Sequence, residues 1–273
     1  MMSEKTISNQ PEKAKSVYFV SDMHFGVPDR ESTLMREKLF VSWLDLIAPD
    51  ASDIYIVGDM FDFWFEWKHV IPKGYIRLFG KMAELSDMGI RFHFFTGNHD
   101  MWMFSYFQKE LGAVIYPKDI ITEIQNKTLY ISHGDGLGPG DQGYKFIKKL
   151  FRNPVAQWLY ARVHPNFAVW LALFFSRKSK YANIRKNEAN SARKRKITDS
   201  QTVHAKKVLK HQQIDYFVFG HQHFPVSDQI TESSVLFNIG NWLTDFTFLK
   251  MHNGYLHHLT FKNAIIEKYN GKL

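Results

Sequence analysis

Seven polar residues stand where apolar runs end. Asp22 and His24 follow VYFVS, Asp59 follows IYIVG, and Asn98 follows IRFHFFTG. His133 follows KTLYIS, and His221 and His223 follow IDYFVFG. Together they offer carboxylate or carboxamide oxygens and four imidazoles, a mixed donor set that suits Mn, Fe, Zn or Co. The histidines argue against a purely magnesium-like oxygen site, and the absence of cysteine excludes thiolate ligands and nucleophiles. Seven ligands would crowd one ion. Two ions sharing Asp59 give a better count: Asp22, His24, Asp59 and His223 on the first, and Asp59, Asn98, His133 and His221 on the second, with a bridging water or hydroxide completing each shell. Gly58, Gly97, Gly134 and Gly220 adjoin these residues and permit close turns.

Each fragment alone has an ordinary explanation. His24 could be a structural or surface histidine, Asp59 a helix cap, and Asn98 a turn residue. The ordered set is what argues for metal.

The elements that must position these groups read as alternating strands and helices. Apolar strands are expected at 17–22, at 54–59 and within 90–100, the last ending in a polar loop, separated by helical spacing at 33–47 and 75–88, with Gly89 as a stop. A helix near 103–111 and a strand near 113–116 follow. Later strands are expected within 127–135, 214–225 and 234–242. A hairpin turning at Asn253-Gly254 closes the pattern. Strand-helix alternation implies α/β layers with substantial parallel character, and ligand sites in such sheets gather beyond the carboxyl ends of strands. No P-loop or dinucleotide-binding Gly-x-Gly-x-x-Gly appears at a strand end.

The charge is uneven. The chain carries a formal +8, yet residues 136–200 hold 14 Lys/Arg against 3 Asp/Glu, while the remainder holds 21 against 24. This segment is helical in tendency, basic and aromatic, with Pro154 and Pro165 as boundaries. It reads as an insertion (136–200) in a single domain spanning 17–273, after a flexible leader at 1–16 without a signal-peptide core. Its run FAVWLALFF at 167–175 is too short to span a bilayer. The run suits either a buried helix or an apolar face for a membrane surface or lipid groove. The excess cations would favour nucleic acid, an anionic membrane or a phosphorylated substrate. No DNA-reading element or single-strand aromatic platform is evident, so nucleic acid is the least favoured of these.

The succession DMH, GDMFD, GNHD, HGD and GHQH resembles the calcineurin-like metallophosphoesterase superfamily over about residues 17–242. The resemblance implies a four-layer α/β/β/α fold, the ligand set above, and hydrolysis of a phosphoester or phosphoanhydride. Two metals roughly 3.5–4 Å apart can generate hydroxide and clamp phosphoryl oxygens. On this reading Asp59 and His99 are catalytic, Asn98, His221 and His223 also face the substrate, and His99 meets the phosphoryl group or assists the leaving oxygen. Asp100 would orient His99, and Asp62 would support the ligands from behind. The rival from another class is a noncatalytic metal-binding scaffold.

GDMFDFW, HGDGLGPGDQGY, NEANS and GHQHFP further resemble the UDP-2,3-diacylglucosamine diphosphatases of lipid A biosynthesis. That resemblance implies cleavage to UMP and 2,3-diacylglucosamine 1-phosphate, manganese as the usual metal, and action at the cytoplasmic face of the inner membrane. It places Trp64 near the substrate, Asp141 and Tyr144 on the uridine-sugar part, and Asn190 and Ser191 on a helical lid. Arg193 and Lys194 would serve the phosphates. Two departures stand out: His99 and Phe224 occupy positions where the best-known members carry arginine. Another nucleotide- or lipid-linked phosphate is the alternative substrate.

Overall fold

The computed structural model describes residues 15–137, 148–174 and 191–269, and for 191–199 the backbone alone. Two mixed sheets lie face to face. The first has the strand order β12 (Ile265–Lys268), β11 (Tyr255–Lys262), β10 (Thr247–His252), β1 (Ser16–Val20), β2 (Ala51–Val57), β3 (Arg91–Phe95), β4 (Val114–Tyr116), and the second β5 (Ile120–Ile124), β6 (Lys127–Ser132), β7 (Tyr216–Phe219), β9 (Ser234–Asn238), β8 (Val226–Thr231). In the first sheet, β1, β2, β3 and β4 run parallel. In the second, β6, β7 and β9 run parallel. The remaining strands β5, β8, β10, β11 and β12 pair antiparallel with their neighbours.

The nearly continuous apolar character of these strands follows from burial on both faces. Along β1, Val17 and Phe19 enter the core between the sheets, while Tyr18 and Val20 face the helices. In the second sheet, Leu129, Ile131 and Val218 point inward, and Tyr130, Phe217 and Phe219 point outward. Three hydrophobic layers therefore separate four layers of secondary structure, and the fold is α/β/β/α.

Helices α1 (Arg30–Ile47) and α2 (Ile76–Asp87) cover the outer face of the first sheet. α1 begins where Asp29 accepts the Ser32 N–H at 2.7 Å, and it buries Phe40, Trp43, Leu44 and Ile47, the spacing of one helical face. α2 does the same with Leu78, Met82 and Leu85. The short α3 (Tyr106–Leu111) ends on Gly112 in the left-handed conformation. Deleting a fully buried ring such as Phe19 from such a core costs roughly 3–5 kcal/mol. The helix Ser191–Val208 covers the second sheet through Ala205, packed with Tyr130, Phe217 and Phe219.

The hairpin turns at Asn253 and Gly254, both with positive φ (52° and 79°), as a two-residue turn requires. Strand β1 begins at Ser16, one residue inside the expected leader, and α1 begins three residues before 33. Residues 148–174 contain the helix Pro154–Tyr160 and a further helical stretch at 165–174. Among the described residues no helix is long and apolar enough to cross a membrane.

Candidate metal centre

The loops beyond β1, β2, β3, β6 and β7 meet at one end of the sandwich, where the carboxyl ends of the parallel strands in both sheets converge. The backbone is strained there in a repeated way. Asp22, His24, Asp59, His221 and His223 all adopt φ between 46° and 70°. Non-glycine residues pay for that conformation, and it persists where the surroundings over-determine it, as at functional sites. Close approach also demands glycine: a Cβ on Gly97 would lie 2.1 Å from Asp59 Oδ1, and one on Gly220 would lie 2.1 Å from Ser21 Oγ.

The structure brings the seven side chains together. Three groups among them and His99 have mutually close ligand atoms: Asp22, His24 and His223; His24, Asp59 and His99; and Asp59, His133 and His221. His24 Nε2 lies 3.6 Å from Asp59 Oδ2 and 3.8 Å from Asp22 Oδ1, so Asp59 faces the first group as well. On the other side, His133 Nε2 lies 3.4 Å from Asp59 Oδ2 and 3.3 Å from Asn98 Oδ1.

The supporting hydrogen bonds fix which atom each ligand presents. Asp22 Oδ2 accepts from Ser21 Oγ at 2.5 Å and from the His221 N–H at 2.8 Å. Its Oδ1 is buried without a well-aligned hydrogen bond, with His223 Nε2 at 3.1 Å. Asp59 Oδ1 accepts the His99 N–H at 2.9 Å, leaving Oδ2 toward the imidazoles. His133 donates Nδ1–H to the Val57 carbonyl at 2.9 Å and turns Nε2 inward. His24 Nδ1 faces Asp62 Oδ1 at 3.2 Å, the carboxylate–histidine pairing that orients metal-binding imidazoles.

The electrostatics match. Burial would raise both carboxyl groups, but His223 beside Asp22, and His133 and then His99 beside Asp59, outweigh it and hold both well below the carboxylate range. Burial lowers His24 and takes His221 down to about 4, so both are neutral and offer lone pairs. His133 runs the other way: burial lowers it, yet the Asp59 charge raises it to about 10. The corner at Asp59 thus draws positive charge. An orphaned carboxylate oxygen, neutral imidazoles and no thiolate make a set that fits divalent cations.

Asp62 lies behind His24 and beside His99, whose Nδ1 donates to the Asp62 carbonyl at 3.0 Å. Asp100 does not orient His99. Its buried carboxyl accepts from the Gly97 N–H (2.7 Å), the Met60 N–H (2.8 Å) and, at longer range, those of Asp59 and Phe61. It ties the loop after β3 to the loop after β2, and burial, then Asp59, push it up to about 7.

Trp64 is not at the mouth of the site. It is 0% exposed, stacks on Phe61, packs at a tilt against Phe107, and donates its indole N–H to Glu66 at 3.3 Å, so its ring presents no surface to a ligand. Asp141, Tyr144 and Asn190 lie outside the described residues. Ser191, Arg193 and Lys194 fall at the start of the helix Ser191–Val208, described there by backbone alone.

Sequence reasoning did not single out Arg36 or Asn241. Arg36 donates to the His24 carbonyl at 3.2 Å, and Asn241 donates to the His223 carbonyl at 3.0 Å. The asparagines interrupting FNIGNW were a signal, since buried carboxamides need partners. Arg36 gave none, lying within an ordinary helical pattern.

The model of the calcineurin-like phosphoesterase family matches residues 15–225, and the chain belongs to that family. It is a metal-dependent hydrolase. The chain is 35% identical over 236 residues to UDP-2,3-diacylglucosamine hydrolase of Porphyromonas gingivalis, covering 83% of this chain and 90% of that protein. It is 28% identical over 239 residues to the protein of the same name from Escherichia coli strain 536, covering 85% and 93%. A solved structure of vacuolar protein sorting 29 from Cryptosporidium parvum aligns with 94% of this chain and 96% of its own, at a TM-score of 0.45 and 12% identity.

Proposed function

We propose that this chain hydrolyses the pyrophosphate of UDP-2,3-diacylglucosamine to UMP and 2,3-diacylglucosamine 1-phosphate, a step of lipid A biosynthesis, using two divalent ions, manganese foremost. Asp22, His24, Asp59 and His223 would hold one ion, and Asp59, Asn98, His133 and His221 the other. When bound, such ions supply an activated water and neutralise phosphoryl charge.

The chain's own residues do the rest. The His99 ring is edge-on to His24, with centroids 4.8 Å apart, and its side chain is 21% exposed, within reach of a substrate. Its Nδ1–H is committed to the Asp62 carbonyl. That leaves Nε2 to engage a phosphoryl or leaving-group oxygen.

The substrate reading is supported by the names of the relatives and carried above all by one surface. Phe167, Trp170 and Phe174 are 54%, 57% and 50% exposed, spaced along one helical face, and their rings pack in sequence. Val155, Trp158 and Leu159 are exposed in the same insertion, and the Arg162 guanidinium sits 4.7 Å over the Trp158 ring. Exposed aromatics bordered by cations suit acyl chains and an anionic lipid surface. On this reading the protein works peripherally at the cytoplasmic face of the inner membrane.

The test is hydrolysis of UDP-2,3-diacylglucosamine and of UDP-glucose with manganese. UMP and the acylated sugar phosphate are expected without inorganic phosphate, with the acylated substrate cleaved at least about tenfold faster. Equal rates would overturn the lipid reading and favour a soluble nucleotide-linked substrate.

A further inference from the structure

The helix Ser191–Val208 brings the chain back from the insertion to the second sheet, and one of its side chains is buried under the metal centre. Gln201 is 0% exposed. Its Nε2 donates to the Gly220 carbonyl at 3.2 Å, and its Oε1 accepts from Asn238 Nδ2 at 3.1 Å. Asn238 Nδ2 also donates to the Gly220 carbonyl, at 2.8 Å. Two carboxamides therefore hold one peptide oxygen.

That peptide joins Gly220 to His221, and its other end is held as well. The His221 N–H donates to Asp22 Oδ2 at 2.8 Å, and the N–H of the preceding peptide, that of Gly220, donates to the His133 carbonyl at 3.1 Å. The orientation of the Gly220–His221 peptide plane thus bears on Asp22 and His221 together, with His133 tied to the peptide before it. His221 sits at φ 70°, a conformation that reverts unless held. Space around the clamp is tight: a Cβ on Gly134, next to His133, would lie 2.8 Å from Gln201 Nε2.

We propose that Gln201 is a positioning residue for the metal centre, fixing the Gly220–His221 peptide so that His221 and Asp22 keep their ligand geometry. It acts through the backbone, and among the described residues none of its hydrogen bonds goes to a ligand side chain. Because it belongs to the helix returning from the insertion, the seat of that helix and the shape of the ligand loops are mechanically joined. The helix is anchored independently by Ala205 in the outer core and by His204, whose Nε2 lies 2.9 Å from the Tyr130 hydroxyl.

The inference rests on the two-ion reading of the site and is independent of the substrate. The experiment is manganese binding to the full chain, read by the free-ion electron paramagnetic resonance signal, with thermal unfolding of the metal-free protein alongside. Gln201→Met keeps the side chain's length and removes both hydrogen bonds. Gln201→Asn keeps the carboxamide but shortens its reach. Both are expected to weaken at least one of two manganese ions about tenfold or more, the range seen when groups supporting metal ligands are lost. Asn238→Ala is expected to do the same by releasing the other half of the clamp. If Gln201→Met fails to fold, Gln201→Asn and Asn238→Ala carry the test. Wild-type protein binding no manganese would overturn the two-ion reading itself. Wild-type protein binding two ions, with folded variants binding both within about twofold of it, would overturn the role of Gln201 alone.

Discussion

The Nε2 atoms of His24 and His223 lie 3.0 Å apart, and both face Asp22 Oδ1. That separation is the length of an N–H···N hydrogen bond, one imidazole donating and the other accepting. A divalent ion would satisfy both lone pairs and the carboxylate at once. The residues come from the ends of β1 and β7, in different sheets, so the relationship depends on the sandwich being closed.

His99 is expected to act on the substrate and not on the metals. His99→Ala should lower kcat about 10²- to 10³-fold, the usual weight of a positioned proton donor, with bound metal unchanged. Steady-state kinetics with metal analysis of the same preparation check this. A large loss of metal with preserved kcat at saturating manganese would contradict it.

The exposed aromatic face should matter only for acylated substrate. Replacing Phe167, Trp170 and Phe174 together by serine is expected to raise KM for UDP-2,3-diacylglucosamine about 10²-fold or more. Each ring removed from lipid contact forfeits roughly 1–3 kcal/mol. The slow cleavage of UDP-glucose and the melting temperature should hardly change, because these residues are half exposed already. Sedimentation with anionic vesicles should fall in parallel.

Stability should decline on acidification partly through His258. Burial lowers this imidazole from about 6.5 to about 4, and its Nε2 donates to the Ile239 carbonyl at 3.0 Å. The unfolded chain binds the proton first, so the neutral form stabilises the fold fully above about pH 6.5. That contribution is lost as pH falls toward 4, up to roughly 3 kcal/mol. Denaturant midpoints from pH 7 to pH 4 should therefore fall less steeply for His258→Gln than for the parent chain. Parallel slopes would contradict the assignment.

Much of the site was legible because its residues break apolar strands. A strand buried on both faces tolerates few polar groups, so Asp22, Asp59, His133 and His221 at the ends of such runs stand out. The central strands were legible for the same reason. Strands β5, β8 and β12 were not: all three lie at sheet edges, and β8 (VSDQIT) exposes most of its residues, so alternation is weak. Trp64 was placed beside the substrate by resemblance, yet its ring is claimed by Phe61, Phe79 and Phe107, contacts that only the tertiary fold reveals. Asp100 likewise looked like a partner for His99, whereas backbone N–H groups from two loops surround it.

On the proposed function, strand-end side chains from both sheets hold a pair of divalent ions on which hydrolysis depends, and Asp59 is the residue they share. Elemental analysis of the manganese-loaded chain and of Asp59→Ala, with turnover measured on the same samples, tests it most directly. Two equivalents of metal are expected in the parent chain, fewer in Asp59→Ala, and a loss of turnover of about 10³-fold or more. Undiminished turnover in protein shown to carry neither ion would contradict it.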